Sequence, residues 1–143
     1  MSYDIQKLLG MTQSQLDELF TNSPVGTIPD GEGKGTAIIG AGTRLTPEIA
    51  EFINHFAWQG KIFDGKAGLL KNKILPFGVA AIIAQVYKGE SWFDGKECIV
   101  LDYSQTSLVA GWIRDEIRMI QPGFYLGEVF GGRARIFHFT LQF

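Results

Sequence analysis

Two segments in the second half of the chain, Val79–Tyr87 (VAAIIAQVY) and Glu97–Tyr103 (ECIVLDY), are apolar on both faces of an extended backbone. Successive side chains of a strand point to opposite faces, so a strand wetted on one side alternates apolar and polar residues. Here Val79, Ala81 and Ile83 point one way, and Ala80, Ile82, Ala84 and Val86 the other. Cys98 and Val100 likewise oppose Ile99 and Leu101. Such strands need cover on both sides. In a chain of 143 residues, one cover is expected to be a barrel interior and the other outer helices or a partner. The 18 Gly, 11 Phe, 4 Tyr and 3 Trp suit that geometry, because a closed sheet needs kinks at its corners and bulk in its middle.

The remaining elements follow from capping and turn chemistry. The first 22 residues read as two short helices, Ser2–Gly10 and Met11–Thr21, with Thr12-Gln13-Ser14-Gln15 as a capping box. Asn22–Lys34 is rich in turn residues, and a first strand is expected over Gly35–Ile39. Thr46-Pro47-Glu48 starts a helix through Phe56, with Ile49, Phe52, Ile53 and Phe56 as its apolar stripe. Strands are then expected over Trp58–Phe63, Leu69–Leu75, Val79–Tyr87 and Glu97–Tyr103. The i, i+3, i+4 spacing of Val109, Trp112, Ile113, Glu116, Ile117 and Ile120 predicts a helix over 107–120, with an edge strand over Arg114–Ile120 as the alternative. Phe124–Phe130 and Ala134–Phe143 form a closing hairpin around Gly131-Gly132. Residues 1–143 thus make one domain: a helical segment 1–22, then a barrel over 35–143 with helices near 46–56 and 107–120.

Charge and cysteine usage exclude several classes. Thirteen basic against fifteen acidic residues give a net charge of −2, with no basic stripe for nucleic acid and no polybasic run for an anionic membrane. No apolar stretch approaches the ~20 residues of a membrane span. Cys98 is the single cysteine; it is read as a small buried hydrophobe, and a reducing, cytoplasmic setting is expected. The two histidines, His55 and His138, lack motif spacing, so no metal is expected, although one histidine with carboxylates would make a conceivable site. Haem ligation by either histidine is conceivable too, but no cofactor is expected. Gly31-x-Gly33-x-Gly35 lacks the strand–turn–helix setting of a dinucleotide site, and no nucleophile elbow is present.

Three segments carry a resemblance: Trp58-Gln59-Gly60-Lys61-Ile62-Phe63; Ser91-Trp92-Phe93-Asp94-Gly95-Lys96-Glu97 with Ile99–Ser104; and Trp112–Arg118 with Pro122-Gly123-Phe124-Tyr125-Leu126-Gly127. Over roughly Gly35 to Phe143 the chain resembles an uncharacterised bacterial family of small lipocalin-like (calycin-type) β-barrels, and its layout is similar to the GXWXG-type domains. The resemblance implies a mainly β (α+β) fold, a closed antiparallel barrel with N-terminal helices and one or two helical insertions, and a ligand cavity. It implies no catalytic residues.

Polar groups inside apolar strands are the candidates for chemistry. A buried carboxylate must be paired, hydrogen-bonded or protonated. Asp102 and Glu128 therefore each either meet a basic partner or have a raised pKa, and would then serve with Tyr87 and His138 as proton-transfer groups if the protein is an enzyme. The plainer readings are a strand-end turn residue for Asp102, a rim residue for Glu128 and an exposed strand residue for His138. Arg114 and Arg118 are either a solvated charged face or residues at a barrel mouth able to fork a ligand carboxylate. Trp58, Tyr87, Tyr103, Trp112 and Tyr125 are candidate wall residues, each apolar in body with a polar tip. The function expected is binding of a small hydrophobic or aromatic molecule in the barrel, with a cofactor-independent isomerase or cyclase on the same cavity as the alternative. A homo-oligomer built on apolar outer faces is a further possibility.

Overall fold

The computed structural model describes residues 2–38, 58–74, 79–106 and 111–143, of which 58, 59, 73, 74 and 79–82 are described by backbone alone. Among them run two helices, α1 (Ile5–Leu9) and α2 (Gln13–Asn22), and eight strands: β1 (Gly31–Ile38), β2 (Trp58–Asp64), β3 (Leu69–Ile74), β4 (Val79–Glu90), β5 (Glu97–Asp102), β6 (Ile113–Gln121), β7 (Phe124–Gly131) and β8 (Ala134–Gln142). Each strand pairs with its sequence neighbour, and β8 returns to pair with β1, closing the barrel. This is the up-and-down antiparallel architecture of lipocalin-like barrels, in which closure leaves no unpaired edge.

Two expectations shift. Residues 113–121 form a strand, where the apolar spacing had predicted a helix over 107–120; 107–110 lie outside the described residues. The physical reason is pairing. As β6 the segment bonds to β5 and β7 on its two sides, and a helix there would have left both neighbours with bare edges. Three isoleucines, Ile113, Ile117 and Ile120, also favour extended backbone. The first strand begins at Gly31, four positions before the expected Gly35, because Gly31–Lys34 pair with Gly60–Phe63 of β2. The helix expected over 46–56, with His55, lies outside the described residues.

Both faces of β5 are covered, as its sequence demands; on β4 the inward Ala84 and Val86 are buried, but the outward Ile83, expected to be covered, is exposed. Ile99 and Leu101 point into the barrel with Phe63, Leu70, Ala84, Val86, Ile117, Tyr125, Val129, Phe139 and Leu141. Cys98 and Val100 point outward and pack with Phe124, Leu126 and Ile38 beneath Leu8, Leu16 and Phe20 of the two helices. The α2 helix is fixed at its start by the expected capping box: the Gln15 amide donates to Thr12 Oγ1, and Gln15 Oε1 accepts from the Thr12 amide. On the outer wall of β3 and β4, Leu69, Ile83 and Tyr87 are exposed.

One barrel end is sealed by the segment leading into β1. Val25 and Ile28 pack against the interior. Tyr125 Oη donates to the Thr27 carbonyl at 2.6 Å, and the Met119 amide donates to the Pro24 carbonyl. Gly26 passes so close to Met119 that an added Cβ would lie 2.5 Å from the Met119 Cβ, and its φ of +72° is the left-handed region that glycine tolerates.

Candidate ligand site inside the barrel

Among the described residues the inward faces carry one polar group, and it lies toward the other end, where β3 and β5 finish and β6 starts. Lys61 projects inward from β2, Asn72 from β3, Asp115 from β6, and Tyr103 follows directly after β5. Register explains the convergence. Lys61 is paired with Asn72 across β2–β3, and Asp115 with Leu101 across β5–β6; Tyr103 is two residues beyond Leu101 and so shares its face. Gly60 sets the phase. It sits at the register shift in β2 with φ +145°, and an added Cβ would lie 2.1 Å from the Gly33 carbonyl oxygen. Only glycine brings β2 this close to β1 and leaves the next residue, Lys61, aimed at the interior.

The bonds are short. Lys61 Nζ donates to Asn72 Oδ1 and to Tyr103 Oη, each at 2.6 Å. It pairs with Asp115 Oδ2 at 3.0 Å. Tyr103 Oη donates to Asp115 Oδ2 at 3.1 Å and accepts from Asn72 Nδ2 at 2.9 Å. The rings of Tyr103 and Phe139 lie 5.3 and 5.5 Å from the ammonium. Burial lowers the Lys61 pKa, against the pull of Asp115. Burial, reinforced by the Asp115 charge, raises the Tyr103 hydroxyl well above its ordinary value. Asp115 Oδ1 is buried and makes no hydrogen bond among the described residues. An interior carboxylate oxygen without a partner is an acceptor with bonding capacity in hand.

Of the wall residues expected from sequence, Tyr103 and Tyr125 face inward, Tyr103 in the polar group and Tyr125 at the sealed end. The Trp58 side chain is outside the described set. Tyr87 and Trp112 are exposed on the outside. Tyr87 Oη donates to Asp102 Oδ2 at 2.7 Å, and Asp102 Oδ1 accepts from the amide and hydroxyl of Ser104. Asp102 is thus a strand-end cap; burial works against its charge, yet the Ser104 and Tyr87 bonds hold its pKa down.

Arg114 and Arg118 also face outward, where they fix the 91–97 turn. Arg118 is buried and forks Asp94 at 2.6 and 2.7 Å. It also donates to the carbonyls of Phe20, Lys96 and Glu97. Arg114 donates to Glu116 and to the Glu90 carbonyl while lying over the Trp92 ring. Glu116 accepts from the Ser91 hydroxyl and the Trp92 amide.

Glu128 and His138, directly paired across β7–β8, are buried on the outer face, with Asp17 of α2 against them. Burial raises the Glu128 pKa; for His138 burial is outweighed by Asp17 and Glu128, and its pKa rises.

Sequence reasoning passed over Lys61, Asn72 and Asp115. Parity held a signal for one of them: once 113–121 is a strand, Asp115 is the acid that shares a face with Ile113 and Ile117.

No protein-family model matches the chain, and no curated protein matches it. The fold is similar to that in the crystal structure of a protein from Thermomonospora curvata, with a TM-score of 0.68 at 16% sequence identity, covering 93% of this chain and 88% of that one. At such identity the likeness establishes a shared barrel and leaves the chemistry to the residues.

Proposed function

We propose that the protein binds a small, largely apolar or aromatic molecule inside its barrel, as a member of the lipocalin-like family. The ligand's body lies among the apolar interior side chains, and its one hydrogen-bond donor meets Asp115. The observation that carries this reading is the Lys61–Asn72–Tyr103–Asp115 group, polar residues buried on an inner face otherwise apolar among the described residues, with one carboxylate oxygen left to bond. Pockets of this kind owe affinity to apolar contact and orientation to a few polar groups.

Native mass spectrometry of protein purified from its own host, with extraction of the retained molecule, tests the proposal. The expected result is a stoichiometric apolar compound carrying a hydroxyl or N–H group, lost in Asp115→Asn, whose amide can turn a donor toward the ligand. Retention unchanged in that variant, or nothing retained by a folded wild-type chain, overturns it.

One observation favours a second reading, a cofactor-independent isomerase or cyclase. Lys61 holds its proton less firmly than an ordinary lysine and touches both Tyr103 and Asp115, so a proton can be taken up and returned within the barrel. Asp102, Glu128, Tyr87 and His138 all project from the outer surface. In this reading Lys61 and Tyr103 act in their place, and turnover of a candidate substrate would fall in Lys61→Met.

A further inference from the structure

On the outer face, three potential ligands from three separate elements converge: Asp17 from α2, Glu128 from β7 and His138 from β8. One donor atom of each lies within 4.8 Å of the others. His138 Nε2 is 3.0 Å from Asp17 Oδ1 and 3.1 Å from Glu128 Oε1. Around a tetrahedral zinc ion with bonds of about 2.0–2.1 Å, neighbouring donor atoms stand about 3.3 Å apart. The two spacings are therefore within a few tenths of an ångström of a coordination shell before any ion enters.

A second observation points to an ion. Glu128 and His138 are 0% and 1% exposed. Glu128 Oε2, beside the cluster's Oε1, is nonetheless buried without a hydrogen-bond partner among the described residues. Two carboxylates and an imidazole, one carboxylate oxygen still unused, is a hard-to-borderline donor set suited to a divalent first-row ion. The positive charge now at the cluster is Arg135, whose Nη1 pairs with Asp17 Oδ1 and lies 3.4 Å from Glu128 Oε1. Its side chain is one-quarter exposed, so it can turn out to solvent and open the route by which an ion arrives.

We propose that Asp17, Glu128 and His138 form a divalent transition-metal site, with Arg135 as the cation the metal displaces. Glu128 Oε2 is available as a further donor. Two ligands belong to the barrel wall and one to the helix, so the ion clamps α2 onto the barrel. The spacing of Asp17, Glu128 and His138 along the chain carries no metal motif, because the site exists only once α2 has docked.

The test uses the untagged chain stripped with EDTA and titrated with Zn²⁺ by calorimetry, alongside thermal melts. Saturable binding of one ion per chain and a raised Tm are expected. Asp17→Asn and His138→Ala should each weaken binding at least about tenfold, and Arg135→Gln should tighten it. The last variant separates a lost site from a lost fold, because it predicts a gain. A wild-type chain that binds no Zn²⁺, binding that survives both ligand variants, or an Arg135→Gln chain that folds but binds no better, overturns the proposal.

Discussion

Arg118 and Lys61 are both buried cations in the barrel wall, each facing a carboxylate, but one points out and the other in. All five N–H groups of Arg118 are used, on Asp94 and on three carbonyls, and the guanidinium stacks 4.4 Å from the Phe20 ring. Its task is complete within the chain: it ties β6, the 91–97 turn and the end of α2 together. The Lys61 group sits among apolar side chains and leaves Asp115 Oδ1 without a hydrogen bond among the described residues. On the proposed function, the contrast separates a polar group spent on the fold from one with an acceptor left for a ligand. Burial and charge alone would have ranked the two clusters together.

The sharpest way to break the comparison is to remove one member of the inner pair. Lys61→Met or Asp115→Leu alone leaves an uncompensated charge in the interior and should cost about 3–5 kcal/mol. The double variant Lys61→Met/Asp115→Leu should recover most of that loss in urea denaturation while still failing to retain ligand. A double variant as unstable as the singles would show the pair to be structural.

The outer cluster should behave the other way. Arg118→Met should lower stability by about 2–3 kcal/mol, through lost charge-assisted bonds, with ligand retention intact in the folded fraction. The Arg118 fork also holds the Asp94 carboxyl below its usual range. The folded chain therefore binds fewer protons there than the unfolded chain, and this stabilisation is present above the ordinary aspartate pKa and lost as pH falls through the lowered one. Lys61 shifts the alkaline limb instead. With its pKa lowered, the unfolded chain binds more protons over the window just below the ordinary lysine value, so stability rises with pH there. Denaturation against pH should show Asp94→Asn flattening the acid limb and Lys61→Met flattening the alkaline one.

The smallest effect concerns how the inner group is aimed. Gly60→Ala forces a Cβ toward the Gly33 carbonyl at an unfavourable φ, which should cost about 1–3 kcal/mol. If Gly60 sets the direction of Lys61, ligand retention should fall by more than the loss in Tm accounts for. Equal losses would reduce Gly60 to a packing role.

The amino-acid sequence made the closed barrel legible through β5, whose apolar residues are covered on both faces, whereas β4, which has the same pattern, leaves its outward Ile83 exposed; the capping box placed α2. It obscured β6, whose outward Arg114, Glu116 and Arg118 lie under cover and whose inward Asp115 lies in a polar pocket of the interior. Both faces break the apolar–polar alternation by which a strand is recognised. The start of β1 was hidden by its glycines, which serve close strand approach here although the same residues signal turns elsewhere. The inner site was illegible for a related reason. Lys61, Asn72 and Asp115 stand in charged stretches (GKIF, LKNKI, IRDEI) that suggest solvent, and parity turns them inward only once register is known.

Cys98 has a use that follows from where it lies. The thiol is sealed under the helical cap, and burial, with the nearby Glu116 charge, pushes its pKa up to about 12. A maleimide or disulfide reagent reaches it once the cover of α1 and α2 is breached, and the chain has no second thiol to confuse the reading. The wild-type protein thus carries its own reporter of exposure beneath the helices: the labelling rate measures how often the Cys98 cover is breached, without an engineered probe.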